Sequence, residues 1–486
     1  MTAVAPTLME TPLTPSRIAF LRERGMSASV FVAALTTAFG VILVDTTGYL
    51  GALLQNDPTI GDSGTLAYVV QILSVLLTAV AMYVAAIVTA NTFSTIVAGR
   101  TRRIALLRLI GASARAQRGE VAGQGLVVGI LGSVLGLVAG VLLSWAGIAI
   151  GSAVFAHPPL GFSPLQPGVL VPAVGVALTT WLAAWAGSRR VLTVTPLQAL
   201  AGSTERSAAE IGSVSSRHLG AITMFVLGGA LLAGGVVYGL TSPLGVVVAF
   251  FGGVFSFTGL AIGSALIMPP VLRMVGRLFG RSATARLAAE NALRHPERSS
   301  RMAIGVVMGV TLVTMFAVAM ESAKALLLRT SEEELPPGFF APFDAFATVM
   351  MVLVAVSAVI AAVGLVNLLT IGVVQRRREL GLLRAIGLSS RQVRRMVLLE
   401  AAHVTIAATA TGLVLGIAYG WIAAQSLLGS VPSLPDFHPA GFILPVVPWA
   451  PVAAIVVATA VLTLVASVAP TRLATRVAPV EALAAD

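Results

Sequence analysis

Residues 376–395 read "RRRELGLLRAIGLSSRQVRR" and lie between two long apolar runs. A shift of 276 positions brings "RTRRIALLRLIGASARAQR", residues 100–118, onto this stretch. Arg102 falls on Arg378, Arg108 on Arg384, Gly111 on Gly387, Ser113 on Ser389 and Arg115 on Arg391. The same offset carries Asn91 onto Asn367 in the preceding apolar run, and "GLVAG" (136–140) onto "GLVLG" (412–416) in the following one. Weaker echoes flank both copies. "FLRERGMSAS" (20–29) resembles "ALRHPERSSR" (292–301), and "TPLQAL" (195–200) resembles "APVEAL" (478–483). Repeats at this scale define architecture before any motif does.

Local chemistry predicts helix, break, helix in the second copy. Leu380, Leu383 and Ile386 recur at helical spacing and predict one apolar ridge. Gly387 fits a left-handed helix end. Ser389 followed three residues later by Gln392 is a capping-box pattern that starts the next helix.

The surrounding chain is that of a membrane protein. Of its 486 residues, 57% are hydrophobic and 10% charged, against about 25% charged in soluble domains. Mean hydropathy is +0.94. A spanning helix needs about 20 apolar residues. Ten runs qualify: Val30–Leu54, Leu66–Ile96, Val121–Ile150, Gly168–Gly187, Leu219–Leu240, Leu244–Met268, Met302–Met320, Ala345–Val374, Val397–Leu428 and Phe442–Ala469. The predicted fold class is therefore all-α, a ten-span polytopic membrane protein. Two parallel four-helix repeats flank a two-helix hairpin.

The net charge of +11 follows from topology. With the N-terminus inside, every arginine except Arg329 falls on the inner side. The outer segments hold Asp57, Asp62, Glu332–Glu334, Asp344 and Asp436. This bias replaces nucleic-acid binding as the reason for a basic chain, and it places both termini in the cytoplasm. Each repeat begins and ends inside, so the two are related by an axis along the membrane normal. Many carriers have inverted repeats instead.

The expected organisation is a cytoplasmic lead-in over 1–29, with a short amphipathic helix near Pro15–Arg24 and no apolar core of a signal peptide. A first four-helix unit follows over 30–200, a polar linker over 201–218, the inserted hairpin with its cytoplasmic loop over 219–290, and a second unit over 291–486. No outer loop has room for a folded domain.

Two readings of the paired turns remain open from their residues. Arginines at a membrane surface snorkel to anionic lipid. A repeated glycine, serine and apolar ridge exceeds what lipid binding needs, and favours docking of a cytosolic protein.

The segment "RRRELGLLRAIGLSSRQVRRMVLLEA" resembles the signature of the FtsX-like permease family, the membrane subunits of MacB-type (type VII) ABC transporters. The layout is similar to the ten-span permeases related to BceB. Those carry a large external domain between spans 7 and 8, where this chain has only residues 322–344. The resemblance implies ATPase-coupling roles for Arg102, Arg108, Gly111, Ser113 and Arg115, and for Arg378, Glu379, Arg384, Gly387, Ser389 and Arg391. It implies two copies of a cytosolic ABC ATPase as partners, with ATP and Mg bound there and no cofactor in this chain. It also implies a bacterial plasma membrane location. The cargo class expected is a hydrophobic or amphipathic compound, exported or acted on at the outer face. A non-transporting transmitter to a cell-wall hydrolase or a sensor kinase is the alternative. Any external or membrane partner would meet small loops or the membrane-embedded flanks. The copies differ where Glu379 faces Arg103 and where Glu400, at the foot of span 9, faces Gln124.

Other chemistries are excluded or weakly supported. A P-loop needs lysine after its second glycine, and the sole lysine, Lys324, is followed by Ala325. An enzyme role is therefore not expected. There is no cysteine, and the five histidines show no metal-ligand spacing. Asn91 and Asn367 are intramembrane polar residues, either interhelical glue or a pair near the central axis. Asp45 is expected at the outer interface, and Glu400 and His403 in interfacial structure. The glycines at 132, 136, 140, 412, 416 and 420 form small-residue faces for packing, as do Gly259 and Gly263.

Overall fold

The computed structural model describes residues 26–55, positions scattered within 72–87, and residues 113–154, 162–188, 216–278, 282–294, 296–330, 377–430, 432–433, 438–439 and 442–476. The helices are α1 (Met26–Gln55), α2 (Ala114–Val154), α3 (Leu170–Gly187), α4 (Ser216–Gly239), α5 (Gly245–Ile262), α6 (Ser264–Gly276), α7 (Ala283–Arg294), α8 (Pro296–Thr330), α9 (Arg377–Ala385), α10 (Ser390–Leu428) and α11 (Trp449–Arg476). Among the described residues, the chain is all-α apart from one antiparallel pairing of Pro432–Ser433 with His438–Pro439 in the connection before α11.

Among the described residues, seven helices are long and apolar enough to span a membrane. They correspond to the expected spans 1, 3, 4, 5, 6, 7 and 9. Span 8 lies outside the described residues, as does span 2 except at isolated positions. The lead-in helix and the outer acidic run Glu332–Glu334 also lie outside them.

Two expected boundaries move. The tenth span was placed from Phe442, but its helix starts at Trp449, and the apolar part is shorter, Trp449–Val465. Pro445 and Pro448 explain the delay, because the residue before a proline is driven out of helical conformation. Span 6, expected as continuous over Leu244–Met268, divides at Gly263 into α5 and α6. Pro269 and Pro270 lie in α6; each removes a donor and crowds a carbonyl one turn back, a usual cause of helix interruption.

Glycine faces set the packing. A side chain on Gly132, Gly136 or Gly140 of α2 would run into Ala33, Ala34 with Thr37, or Val41 of α1. Only a missing Cβ allows backbones this close. The arrangement recurs in the second half. A Cβ on Gly412 would lie 2.8 Å from Val310 Cβ, and Gly416 meets Thr311 and Thr314 of α8. The α2 and α10 glycines correspond by the offset of 276, but their partners do not. Residues 34, 37, 38 and 41 correspond to 307, 310, 311 and 314, an offset of 273. The first helix of each half thus aligns three residues out of step with the rest.

α10 is the spine of the second half. It packs against α8 and α11 and also carries α4, α5, α6 and α7. The α4–α5 hairpin is closed by Gly228 against Ser256, Gly235 against Ala249 and Gly259 against Phe225. Gly259 and Gly263 both face α4, the role their spacing predicted. The main core joins Phe257 and Leu260 of α5, Met268 and Leu272 of α6, Val307 and Val310 of α8, and Val404 and Ala408 of α10. By contrast, Val134, Leu135, Val138, Leu142 and Trp145 of α2 are exposed. An apolar face of this length suits lipid.

Two tyrosines join the hairpin to helices on either side of it. Tyr419 of α10 hydrogen-bonds Ser256 at 2.6 Å. Tyr83, in the expected span 2, donates to the Val254 carbonyl at 3.1 Å and pairs with the Thr258 hydroxyl at 2.8 Å. α5 therefore bridges the two halves.

Candidate docking site at the arginine-rich turns

The second turn is built by two helix caps placed back to back. α9 ends at Ala385, and Gly387 adopts φ +111°. Its N–H donates to Arg384 C=O at 3.1 Å, and the Leu388 N–H donates to Leu383 C=O at 3.0 Å. This is the Schellman pair of bonds, with Leu388 and Leu383 supplying its apolar contact. Ser389 then caps α10. Its hydroxyl accepts from Gln392 N–H at 3.3 Å, while Gln392 Oε1 accepts from Ser389 N–H at 2.8 Å. Both expected signals, Gly387 and Ser389 with Gln392, thus act as the sequence predicted.

The apolar ridge differs from expectation. Leu380 is 3% exposed and packs with Ala288 of α7 and with Val393, Met396 and Val397 of α10, with Leu383 beside it. The residues that project outward are Leu382 and Ile386, 51% and 71% exposed. The reason is that an i, i+3, i+6 series drifts round a helix of 3.6 residues per turn, and Ile386 N–H still donates to Leu382 C=O at 2.9 Å. Ile386 therefore leaves the angular register of Leu380 and Leu383. Leu382 and Ile386 are four apart, a spacing that could have revealed this second face.

Glu379, Arg391, Arg394 and Arg395 are exposed around that face, and Arg384 is half-buried. Arg378 lies in the first turn of α9, but its side chain is outside the described residues. The result is a turn fixed at both ends that exposes two apolar residues, Leu382 and Ile386, together with Glu379 and several arginines. Such a surface suits a protein groove with an acidic rim.

In the first copy, Arg102, Arg108 and Gly111 lie outside the described residues, as do Asn91 and Asn367. Ser113 caps α2 as Ser389 caps α10, accepting from Ala116 N–H at 3.1 Å. Ala116 stands where the second copy has Gln392, so the reciprocal bond is missing. Arg115 is exposed. Arg118 lies 4.0 Å over the Trp185 ring of α3, a cation–π contact.

Glu400 and His403 are both buried between helices. Glu400 is 4% exposed and accepts from Asn291 Nδ2 of α7 at 2.8 Å. His403 is fully buried, and its Nε2–H donates to the Leu272 carbonyl of α6 at 2.7 Å. One turn of α10 below the arginine-rich turn is thus tied to α6 and α7. The sequence reading missed α7. Its signal was the buried small-residue stripe Ala285, Ala288 and Ala292. At the matching place in α2, Gln124 donates to Glu120 of its own helix, at 3.4 Å.

Comparison with known proteins agrees with this architecture. The family profile described as FtsX-like permease C-terminal matches residues 75–196 and 351–479, just over half of the chain, and leaves the hairpin between the two matches. The chain is also 37% identical over 65 residues to the ABC transporter permease YtrF of Bacillus subtilis (strain 168). That match spans 13% of this chain and 14% of the relative's length. With spanning helices packed through glycine faces and the profile matched once in each half, the chain is a multi-pass membrane protein that belongs to the FtsX-like permease family.

Proposed function

We propose that this chain is the membrane subunit of an ABC transporter in the bacterial plasma membrane. ATP and Mg bind in two copies of a separate cytosolic ATPase, and both termini of the chain lie on the ATPase side. The observation that carries the reading is the doubly capped second turn, which presents Leu382 and Ile386 within an arginine fringe. Lipid attraction needs charge but no fixed apolar tip.

In the mechanism, closure of the ATPase dimer pushes on residues 100–118 and 376–395. The second push passes from α9 into α10 through their shared core. Glu400–Asn291 and His403–Leu272 carry it into α7 and α6. Ser256–Tyr419 and Tyr83–Thr258 carry it across α5 toward the first half. Rigid helices moving against one another through such joints are an established way of switching membrane and soluble proteins. The cargo is a hydrophobic or amphipathic compound, acted on from the outer leaflet or outer face.

ATPase stimulation in a reconstituted complex tests the coupling. Ile386→Asp is expected to weaken ATPase binding by about 30-fold, the effect of removing an interface anchor of roughly 2 kcal/mol. Unchanged binding would return the turn to lipid. Uptake of labelled amphiphile into inverted vesicles tests export, and ATP-dependent coupling without uptake would favour the signal-transmitter alternative.

A further inference from the structure

Asp45 lies within a spanning helix, expected at the membrane interface but 1% exposed. Among the described residues neither carboxylate oxygen has a hydrogen-bond partner. A polar side chain that reaches it is Ser144 of α2. It is close enough to interact with the carboxyl but outside hydrogen-bonding geometry, and its own hydroxyl is likewise unpartnered. An ionisable side chain inside a membrane is costly and marks a pathway or binding site by default.

The repeat shows that the fold does not require this acid. By the offsets above, Asp45 corresponds to Val318 and Ser144 to Gly420. In the second half that pair is an apolar contact, with a Cβ on Gly420 2.9 Å from Val318 Cβ. The same pair of positions is therefore built once from Val318 and Gly420, with no polar side chain, and once with two unpartnered polar side chains.

The surroundings favour a positive charge. One turn beyond Asp45, Gly48 sits beneath Phe162, whose ring would be 3.1 Å from a Cβ there, and near the Gln166 amide. Tyr49 and Phe162 meet edge to face, with ring centroids 5.7 Å apart. Both rings are half-buried, so the aromatic pair reaches the surface while the carboxylate does not. Residues 162–165 belong to no helix, and the first helical bond here is the one Gln166 C=O accepts from Val169 N–H, so displacement of 162–165 breaks no helical hydrogen bonds. Aromatic faces ahead of a buried anion are the usual recognition elements for organic cations.

We propose that Asp45 and Ser144, roofed by Tyr49 and Phe162, form a recognition site for the positively charged head of an amphipathic compound. The site lies in the outer half of the first unit and is covered by residues 162–166 until the ligand enters. This rests on the transport reading and deepens it by naming the charge of the cargo.

The test measures binding to the purified full chain in zwitterionic lipid nanodiscs, corrected with empty discs. The probes are dodecyltrimethylammonium and uncharged dodecyldimethylamine oxide. The wild type is expected to prefer the ammonium by at least about ten-fold. Asp45→Asn is expected to erase that preference, and Asp45→Glu to retain part of it. Equal binding of both probes by the wild type, as for a carboxyl that takes only a proton, would overturn the proposal. So would a preference that survives Asp45→Asn. No ATPase is present, so a failure of coupling registers in the ATPase assays and not here.

Discussion

The two arginine-rich turns share a backbone plan and differ in what holds them. The second is capped from both sides and clamped through Glu400 and His403 to the helices after the inserted hairpin. The first has a one-way cap at Ser113 and an arginine resting on Trp185 of its own four-helix unit. The mismatches between the copies therefore mark different anchors on one scaffold. On the proposed mechanism a push on the second turn reaches the hairpin, whereas a push on the first passes into α1 and α3, against which α2 packs. Unequal work by the two sites is the consequence this proposal predicts, and it can be tested one anchor at a time.

The largest effect is expected from Gly387→Val. A β-branched residue at φ +111° costs at least about 1–2 kcal/mol, and relief of that strain would dismantle the Schellman turn. ATPase stimulation should fall about ten-fold or more while membrane insertion, followed by protease protection, is unchanged. Asn291→Ala comes next. It deprives the buried Glu400 carboxylate of a donor, worth about 1.5–3 kcal/mol for a bond to a charged group. Thermal unfolding in nanodiscs should show the loss. A double-mutant cycle with Glu400→Gln should return a coupling energy of about 1 kcal/mol, and additivity would remove the clamp from the account. Trp185→Leu should loosen the first turn by about 0.5–2 kcal/mol, with ATPase stimulation less affected than by Asn291→Ala. If Trp185→Leu does more harm, the second turn is not the dominant one. The smallest change is expected from Gln392→Ala, about 0.5–1 kcal/mol of helix capping. Ala116→Gln should give the first turn the reciprocal bond it lacks.

Much of this was legible because caps obey local rules. Gly387, Ser389 and Gln392 identify the turn from a dozen residues, and the glycine ladders of α2 and α10 name their own packing faces. What escaped the sequence depends on partners distant in the chain. Leu380 turned inward because α7 covers it, and nothing within 376–395 encodes α7. The burial of Asp45 needs the crossing of α1 with α2, and residues 162–166 come in beside it at Gly48. The offset of 273 for the first helix of each half stayed hidden because its contacts are with backbone and small side chains, which leave little sequence identity to align. The prolines at 445 and 448 were readable, and they alone would have moved the start of the tenth span.

Docking at the turns can be tested most directly because the natural chain contains no cysteine. A single Ile386→Cys placed at the exposed tip, with Ile406→Cys on the exposed face of α10 as control, can be labelled with a short thiol-reactive photo-cross-linker in the reconstituted complex. The account predicts that position 386 cross-links to the ATPase and is shielded from maleimide when the ATPase is bound, whereas position 406 does neither. An Ile386→Cys variant that supports stimulated ATP hydrolysis yet stays open to maleimide and forms no cross-link would contradict it.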